Sequence, residues 1–208
     1  MQEDKTIELV LQSIIRSPSI HVKWLNTLSF LEHVGTRKIL KTQSGTGMDE
    51  QILRHASEEA RHAHFFKKMI DHVEKGACPN YEPSSLLCGY SAYRYFQSLD
   101  SMVNHELSKN KRKDYPHAFI CYLYVTTLIE ERAGWLYPIY NKLLESEGAA
   151  FHLKSVISEE ERHLSDMHSA LAKYDIDSIK LNYFRNEEAK LYHTFFQKLK
   201  NHVLVKTA

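Results

Sequence analysis

Apolar residues recur with the period of an amphipathic helix along almost the whole chain. No segment shows convincing strand alternation, and no Asn-Gly hairpin signal is present. Glycine and proline, which most often interrupt helices, number only 7 and 5 among 208 residues. The chain is therefore expected to be all-α, and its length predicts a single helical domain over residues 1–208 with a sizeable core.

Capping and breaking residues divide this pattern into seven predicted helices. Ser17 and Pro18 fit the start of a helix, and Thr46 and Asp49 are spaced like a capping box. The turn-rich segment 76–84 is the clearest linker. The predicted helices cover approximately residues 4–16, 18–42, 48–75, 85–109, 116–145, 150–173 and 177–204.

Composition limits the kinds of partner and the cellular compartment that are expected for this chain. The 27 basic and 26 acidic residues leave a net charge of +1, so no nucleic-acid partner is expected. The longest nearly unbroken apolar run, 118–129, is too short for a membrane span. No signal peptide is visible, and three cysteines without CxxC spacing indicate a reducing environment. These features predict a cytoplasmic protein.

Several glutamates stand where a core residue is expected. Glu32, Glu59 and Glu160 each lie on the apolar stripe of a predicted helix, and Glu130 and Glu131 interrupt a segment that is apolar on every side. A buried carboxylate without a partner is strongly destabilising. A pair of divalent metal ions is the simplest compensation, whereas solvated faces of a metal-free helical interaction protein are the alternative.

Two of these glutamates belong to Glu-x-x-His motifs, Glu59 with His62 and Glu160 with His163. Residues at i and i+3 share a helix face, so each motif directs a carboxylate and an imidazole to one centre. The motif is common by chance, and its placement on apolar stripes carries the inference. The order Glu, ExxH, Glu, ExxH along the chain is that of bundles holding two iron or manganese ions.

The pattern of these residues resembles that of the ferritin-like di-iron carboxylate superfamily, and the resemblance covers residues 24–171. The segment IEERAGWLYPIY (129–140) is similar to the third-helix Glu segment of aldehyde-deformylating oxygenases, with tyrosines at +7 and +10. The segment EARHAHFF (59–66) resembles the first ExxH helix of that family. The resemblance implies a ferritin-like four-helix bundle with N-terminal and C-terminal helices and a long crossover helix between bundle helices 2 and 3. The metal ligands that it implies, with Glu59 and Glu160 bridging, are Glu32, Glu59, His62, Glu130, Glu160 and His163.

Periodicity alone does not choose between Glu130 and Glu131. Successive helical residues are about 100° apart, so both cannot face one centre. Ala133 and Gly134 leave space beside Glu130, and the resemblance places a tyrosine seven residues after the ligand. Both features favour Glu130.

The remaining polar candidates have plainer interpretations. Asp100, His105 and Glu106 could approach the site, but solvent exposure or local pairing is expected. The basic run, which could dock an acidic electron donor, is expected to be a solvated loop of Lys109, Lys111, Arg112 and Lys113. Ten further histidines lack a paired acidic motif on a core stripe and are expected to be surface or cap residues: His21, His33, His55, His64, His72, His117, His152, His168, His193 and His202.

The pattern is typical of a di-iron oxidase or oxygenase, with manganese an option at one or both positions. Such a protein would use O2 on a small or apolar, lipid-like substrate. No flavin, haem or iron–sulfur motif is visible, so electrons are expected from a separate reductase or ferredoxin-like partner. A homodimer is compatible with these features. The alternative is an iron-binding, ferroxidase or peroxide-scavenging protein without an organic substrate.

Overall fold

The computed structural model describes residues 2–42, 49–110, 116–174 and 178–205. Over these ranges the protein is all-α, without a β-strand. A short 3-10 helix (Pro83–Ser85) lies in the predicted linker. The α-helices are α1 (Gln2–Ile15), α2 (Pro18–Thr42), α3 (Glu50–Val73), α4 (Gly89–Ser108), α5 (His117–Ser146), α6 (Lys154–Lys173) and α7 (Ser178–Val205). The predicted helices are confirmed, with ends within about one turn of the expected positions.

The start of α3 shows how the sequence sets a helix boundary. Asp49 adopts an extended backbone, and its side chain accepts a hydrogen bond of 2.9 Å from the Ile52 backbone N–H. This bond satisfies one of the amide groups that a helix leaves unpaired at its first turn. Thr46, the other half of the expected capping box, lies outside the described residues, as do Lys111, Arg112 and Lys113 of the basic run.

Four helices, α2, α3, α5 and α6, form the bundle that carries the predicted site. Contacts join α2 to α3, α5 to α6, α2 to α5 and α3 to α6. Their apolar residues belong to two core clusters: α2 passes from Val22 in the first to Ile39 in the second, and α3 returns from Ile52 to Ile70. The two helices are therefore antiparallel, and the same order makes α5 antiparallel to α6. The predicted site residues fall between the two apolar clusters.

The other helices extend this bundle as expected. The crossover helix α4 packs on α2, α5 and α7, while α1 packs on α2, α5 and α7. The additional N-terminal, crossover and C-terminal helices of the predicted all-α bundle are thus present. None of the described helices has an apolar stretch long enough to cross a membrane.

Candidate metal centre

The four bundle helices bring all six predicted ligands into one buried centre. Two groups of four side chains form there, and within each group the ligand atoms lie within 4.8 Å of one another. Glu59 belongs to both groups. We call the seven side chains the carboxylate–histidine cluster: Glu32, His55, Glu59, His62, Glu130, Glu160 and His163.

Glu160 lies between the imidazoles of the two ExxH motifs. Its Oε1 is 3.0 Å from His62 Nδ1, and its Oε2 is 3.4 Å from His163 Nδ1. One oxygen thus faces each ring, as a carboxylate that bridges two ions would require. Together with the place of Glu59 in both groups, this geometry fits the bridging roles that the resemblance implies for Glu59 and Glu160, which stay predictions.

A second row of carboxylates contacts the other nitrogen, Nε2, of the same two rings. His62 Nε2 is 2.8 Å from Glu159 Oε2, and His163 Nε2 is 2.8 Å from Glu58 Oε2. Each contact crosses between α3 and α6. Histidine ligands of metals commonly make such a contact through their other nitrogen, which fixes the ring orientation and raises its basicity.

Two arginines complete this second row in a reciprocal arrangement. Arg61 donates to Glu159 at 2.6 Å, and Arg162 pairs with Glu58 at 2.6 Å. Sequence reasoning missed these four residues, although a signal was available. The segments 57–62 and 158–163 both read Ser-Glu-Glu-x-Arg-His.

His55 is the seventh cluster member, so the expectation that it is a surface or cap residue is wrong. The side chain is 5% exposed, with Nε2 at 3.1 Å from Glu130 Oε1 and 3.3 Å from Glu59 Oε1. Its Nδ1 is 2.9 Å from the Tyr122 hydroxyl. Its spacing was the available signal, because His55 lies one helical turn before Glu59 and so shares its face.

His21 is also buried, contrary to expectation. Its Nε2 is 2.6 Å from the Tyr140 hydroxyl, and burial lowers the pKa of His21 to about 4. This neutral histidine packs among aromatic side chains, away from the cluster. The remaining eight are exposed or half-buried, as expected: His33, His64, His72, His117, His152, His168, His193 and His202.

The three residues of α4 that could have approached the site lie outside the cluster. Asp100 forms an ion pair with Lys38 of α2. Glu106 pairs with Lys109 at 2.6 Å, and His105 is exposed. Local pairing or exposure is therefore confirmed for Glu106 and His105, whereas Asp100 pairs with another helix and lines the cavity beside the cluster.

The structure separates Glu130 from Glu131. Glu130 is 3% exposed and belongs to the cluster, whereas Glu131 points to α7 and accepts a 2.9 Å hydrogen bond from Arg185 Nε. We therefore expect Glu130→Gln to remove at least one bound metal ion. Glu131→Gln should leave metal stoichiometry intact and lower the free energy of unfolding by about 1 kcal/mol, since it loses a partly exposed ion pair. Elemental analysis and denaturant unfolding of the two variants test this, and metal loss in Glu131→Gln alone would reverse the assignment.

Crowding of like charges shifts the titration of the cluster. Burial raises the pKa of Glu32 and of Glu130 well above its ordinary value, and the neighbouring carboxylates raise both further. Burial alone would lower the pKa of His55 and His62. The adjacent carboxylates, Glu59 beside His55 and Glu160 beside His62, outweigh that effect and raise each pKa to about 9. In the absence of metal, protons therefore compensate part of the negative charge.

Buried polar atoms without a hydrogen bond are concentrated in the cluster. Within the described part of the chain, five buried side-chain polar atoms make no hydrogen bond, and four of them belong to the cluster. These four are Glu59 Oε1, His62 Nδ1, Glu130 Oε2 and His163 Nδ1. Buried polar atoms are normally hydrogen-bonded, so this concentration calls for ligands. Carboxylate oxygens and imidazole nitrogens in this number fit two divalent ions of the iron or manganese type.

A cavity of about 380 Å³ adjoins the cluster. Among its lining residues are His55 and the four cluster glutamates, but neither His62 nor His163. The remaining wall is mainly apolar and aromatic, with Trp24 and Leu28 from α2, Phe96 from α4, and Ala133 and Leu136 from α5. The volume lies in the range of small-molecule sites.

A buried ionic network fixes the outer wall of this cavity. Glu188 of α7 is 4% exposed and accepts hydrogen bonds from Tyr95 of α4 at 2.6 Å and from Arg132 of α5 at 3.0 and 2.5 Å. The Arg132 guanidinium also lies over the Tyr192 ring at 4.0 Å. Charge-assisted, bidentate contacts of this kind are directional, so the network holds α4, α5 and α7 in register around the cavity.

Comparisons of the chain with family models, with curated proteins and with solved structures found no match.

Proposed function

We propose that the protein is a di-iron, or mixed iron–manganese, carboxylate oxidase or oxygenase that acts on a small or apolar molecule. The proposal combines the metal-binding chemistry of the carboxylate–histidine cluster with the resemblance to ferritin-like di-iron proteins. Glu32, His62 and Glu160 would hold one ion, and His55, Glu130 and His163 the other. Glu59 would serve both, and Glu160 Oε2, which faces His163, would make the second bridge that the resemblance implies. When bound, such ions supply the electrons and open coordination positions needed for reaction with O2.

The observation that carries the proposal is the contact between cluster and cavity. A mainly apolar space of substrate size opens directly on the carboxylates, which is what an organic substrate requires. Iron handling without an organic substrate would instead require a polar path for ions. The cavity therefore favours oxidation of a molecule over storage or oxidation of iron.

The protein's own residues would prepare the reaction in three ways. Leu28, Phe96 and Leu136 exclude water from the space beside the cluster. The hydroxyl of Tyr137 donates a hydrogen bond to Glu32, so it holds a proton at the edge of the cavity. The second row, Glu58 and Glu159, keeps the two imidazoles oriented. Electrons for turnover would come from a separate donor protein.

Metal loading tests the proposal. Protein loaded with Fe(II) without oxygen should contain two ions per chain, and stopped-flow mixing with O2 should give a transient visible absorption. A loaded protein inert to O2, or a metal content near zero, would contradict the proposed function.

A cavity-filling variant tests the organic substrate. Solvent extraction and mass spectrometry of the protein as purified should identify a cavity ligand, which should change in mass after incubation with Fe(II), a reductant and ¹⁸O2. Ala133→Phe should lose this ligand and keep both ions. Gly134→Phe is the matched control, because a Cβ atom at this position would have no neighbour within 4 Å and Gly134 does not line the cavity. Iron accumulating as oxide in both variants, with no ligand in any preparation, would instead support iron handling.

A further inference from the structure

The two metal positions offered by the cluster are chemically unequal. One group consists of His55, Glu59, Glu130 and His163 and offers two nitrogens and two carboxylates. The other consists of Glu32, Glu59, His62 and Glu160 and offers one nitrogen and three carboxylates. We call the first the nitrogen-rich position and the second the carboxylate-rich position. The ExxH motifs contribute one imidazole to each group, so the second imidazole of the nitrogen-rich position comes from His55.

The setting of His55 is that of a ligand. Its ring is buried, and its Nε2 faces both Glu130 Oε1 at 3.1 Å and Glu59 Oε1 at 3.3 Å. The ring centroid lies 4.4 Å from that of His163, and both imidazoles belong to the same ligand group. The Tyr122 hydroxyl, 2.9 Å from Nδ1, orients the ring from behind. An oriented nitrogen between two carboxylates is the arrangement that a metal ligand needs.

Donor type decides which ion each position prefers. Iron(II) binds a given ligand set more tightly than manganese(II), and imidazole suits iron, whereas carboxylates suit manganese. A position with two imidazoles should therefore favour iron by a larger factor than a position with one. The shared ligand Glu59 cannot account for a difference, because it contributes to both.

We infer that the protein sorts two metals by position: the nitrogen-rich position takes iron(II), and the carboxylate-rich position is the one that accepts manganese(II). The inference rests on the proposed function, since it requires that the cluster bind two ions. It goes further by assigning His55 as the residue that makes the two positions different. A histidine that served only as a proton-bearing partner of Glu130 would not affect which metal occupies which position.

Anomalous diffraction tests this sorting without any measurement of activity. Crystals grown from protein loaded without oxygen in equal Fe(II) and Mn(II) would be measured at the iron and manganese absorption edges. In the wild type, the iron-to-manganese ratio should be at least about tenfold higher at the nitrogen-rich position. His55→Glu replaces the extra imidazole by a carboxylate, so the ratios at the two positions should then agree within about twofold.

Two further variants complete the test. His64→Glu, an exposed site on the same helix, should keep the wild-type sorting. His55→Gln removes the imidazole with little change in size, and its sorting should weaken even if His55→Glu folds poorly. Equal ratios in the wild type, or sorting unchanged in both His55 variants, would overturn the inference and leave the proposed function standing. A wild-type protein that binds neither metal would overturn the proposed function itself.

Discussion

Replacing Glu59 by alanine is expected to abolish binding of both metal ions. Glu59 belongs to both ligand groups, whereas Glu32 and Glu130 each belong to one. Its removal therefore takes a carboxylate from each position at once. Elemental analysis after anaerobic Fe(II) loading and desalting should give two ions per chain for the wild type and close to none for the variant.

The fold should survive this change, which makes the result interpretable. Glu59→Ala relieves the crowding of four buried carboxylates, and His55 keeps Glu130 as a carboxylate partner, so the variant should remain folded without metal. Glu50→Ala is the control, since Glu50 lies in the exposed first turn of the same helix. Retention of either ion at the wild-type affinity in Glu59→Ala would contradict a shared carboxylate.

Metal affinity should rise steeply with pH. The pKa of His55 and of His62 is raised to about 9, so both imidazoles are in the positively charged, doubly protonated form at neutral pH in the metal-free protein. A metal ion binds only the neutral ring, and each proton that it displaces makes the affinity about tenfold stronger per pH unit below that pKa. The increase should level off above about pH 9, where the rings are already neutral.

Competition with a chelator of known affinity measures this dependence, with Mn(II) or Co(II) as the ion. Calorimetry in two buffers of different ionisation enthalpy gives the number of protons released. We expect at least one proton for each of the two positions, because each contains one of these histidines. An affinity that does not change between about pH 6 and pH 8 would show that the imidazoles are not ligands.

Local signals account for how well the helices could be predicted. Proline at position 18, Asp49 at a cap and the glycine at 148 mark helix boundaries through backbone chemistry that depends on few neighbours. The apolar stripes then define the buried faces. The four cluster glutamates were predictable because a glutamate among apolar residues conflicts with its surroundings wherever the other helices lie. The spacing of the two ExxH motifs then added His62 and His163.

The contacts that escaped prediction depend on partners far along the chain. His55 lies beside the apolar stripe of α3, and only the approach of Glu130 and Tyr122 from α5 turns its ring into a cluster member. The residues on the helix face of Glu131 are as apolar as those on the face of Glu130. Only the hydrogen bond from Arg185 of α7 shows that Glu131 lies outside the cluster. Periodicity describes one helix at a time and cannot supply such pairs.

Some of the helices that line the cavity supply no member of the cluster. The cluster members come from α2, α3, α5 and α6, while α4 and α7 contribute residues to the cavity lining and no member of the cluster. Mutations at Phe96 or Phe195 therefore alter the shape available to a guest molecule without altering the coordination chemistry. Under the proposed function, changes in α4 and α7 would alter which molecules fit the cavity while the candidate metal ligands stay the same.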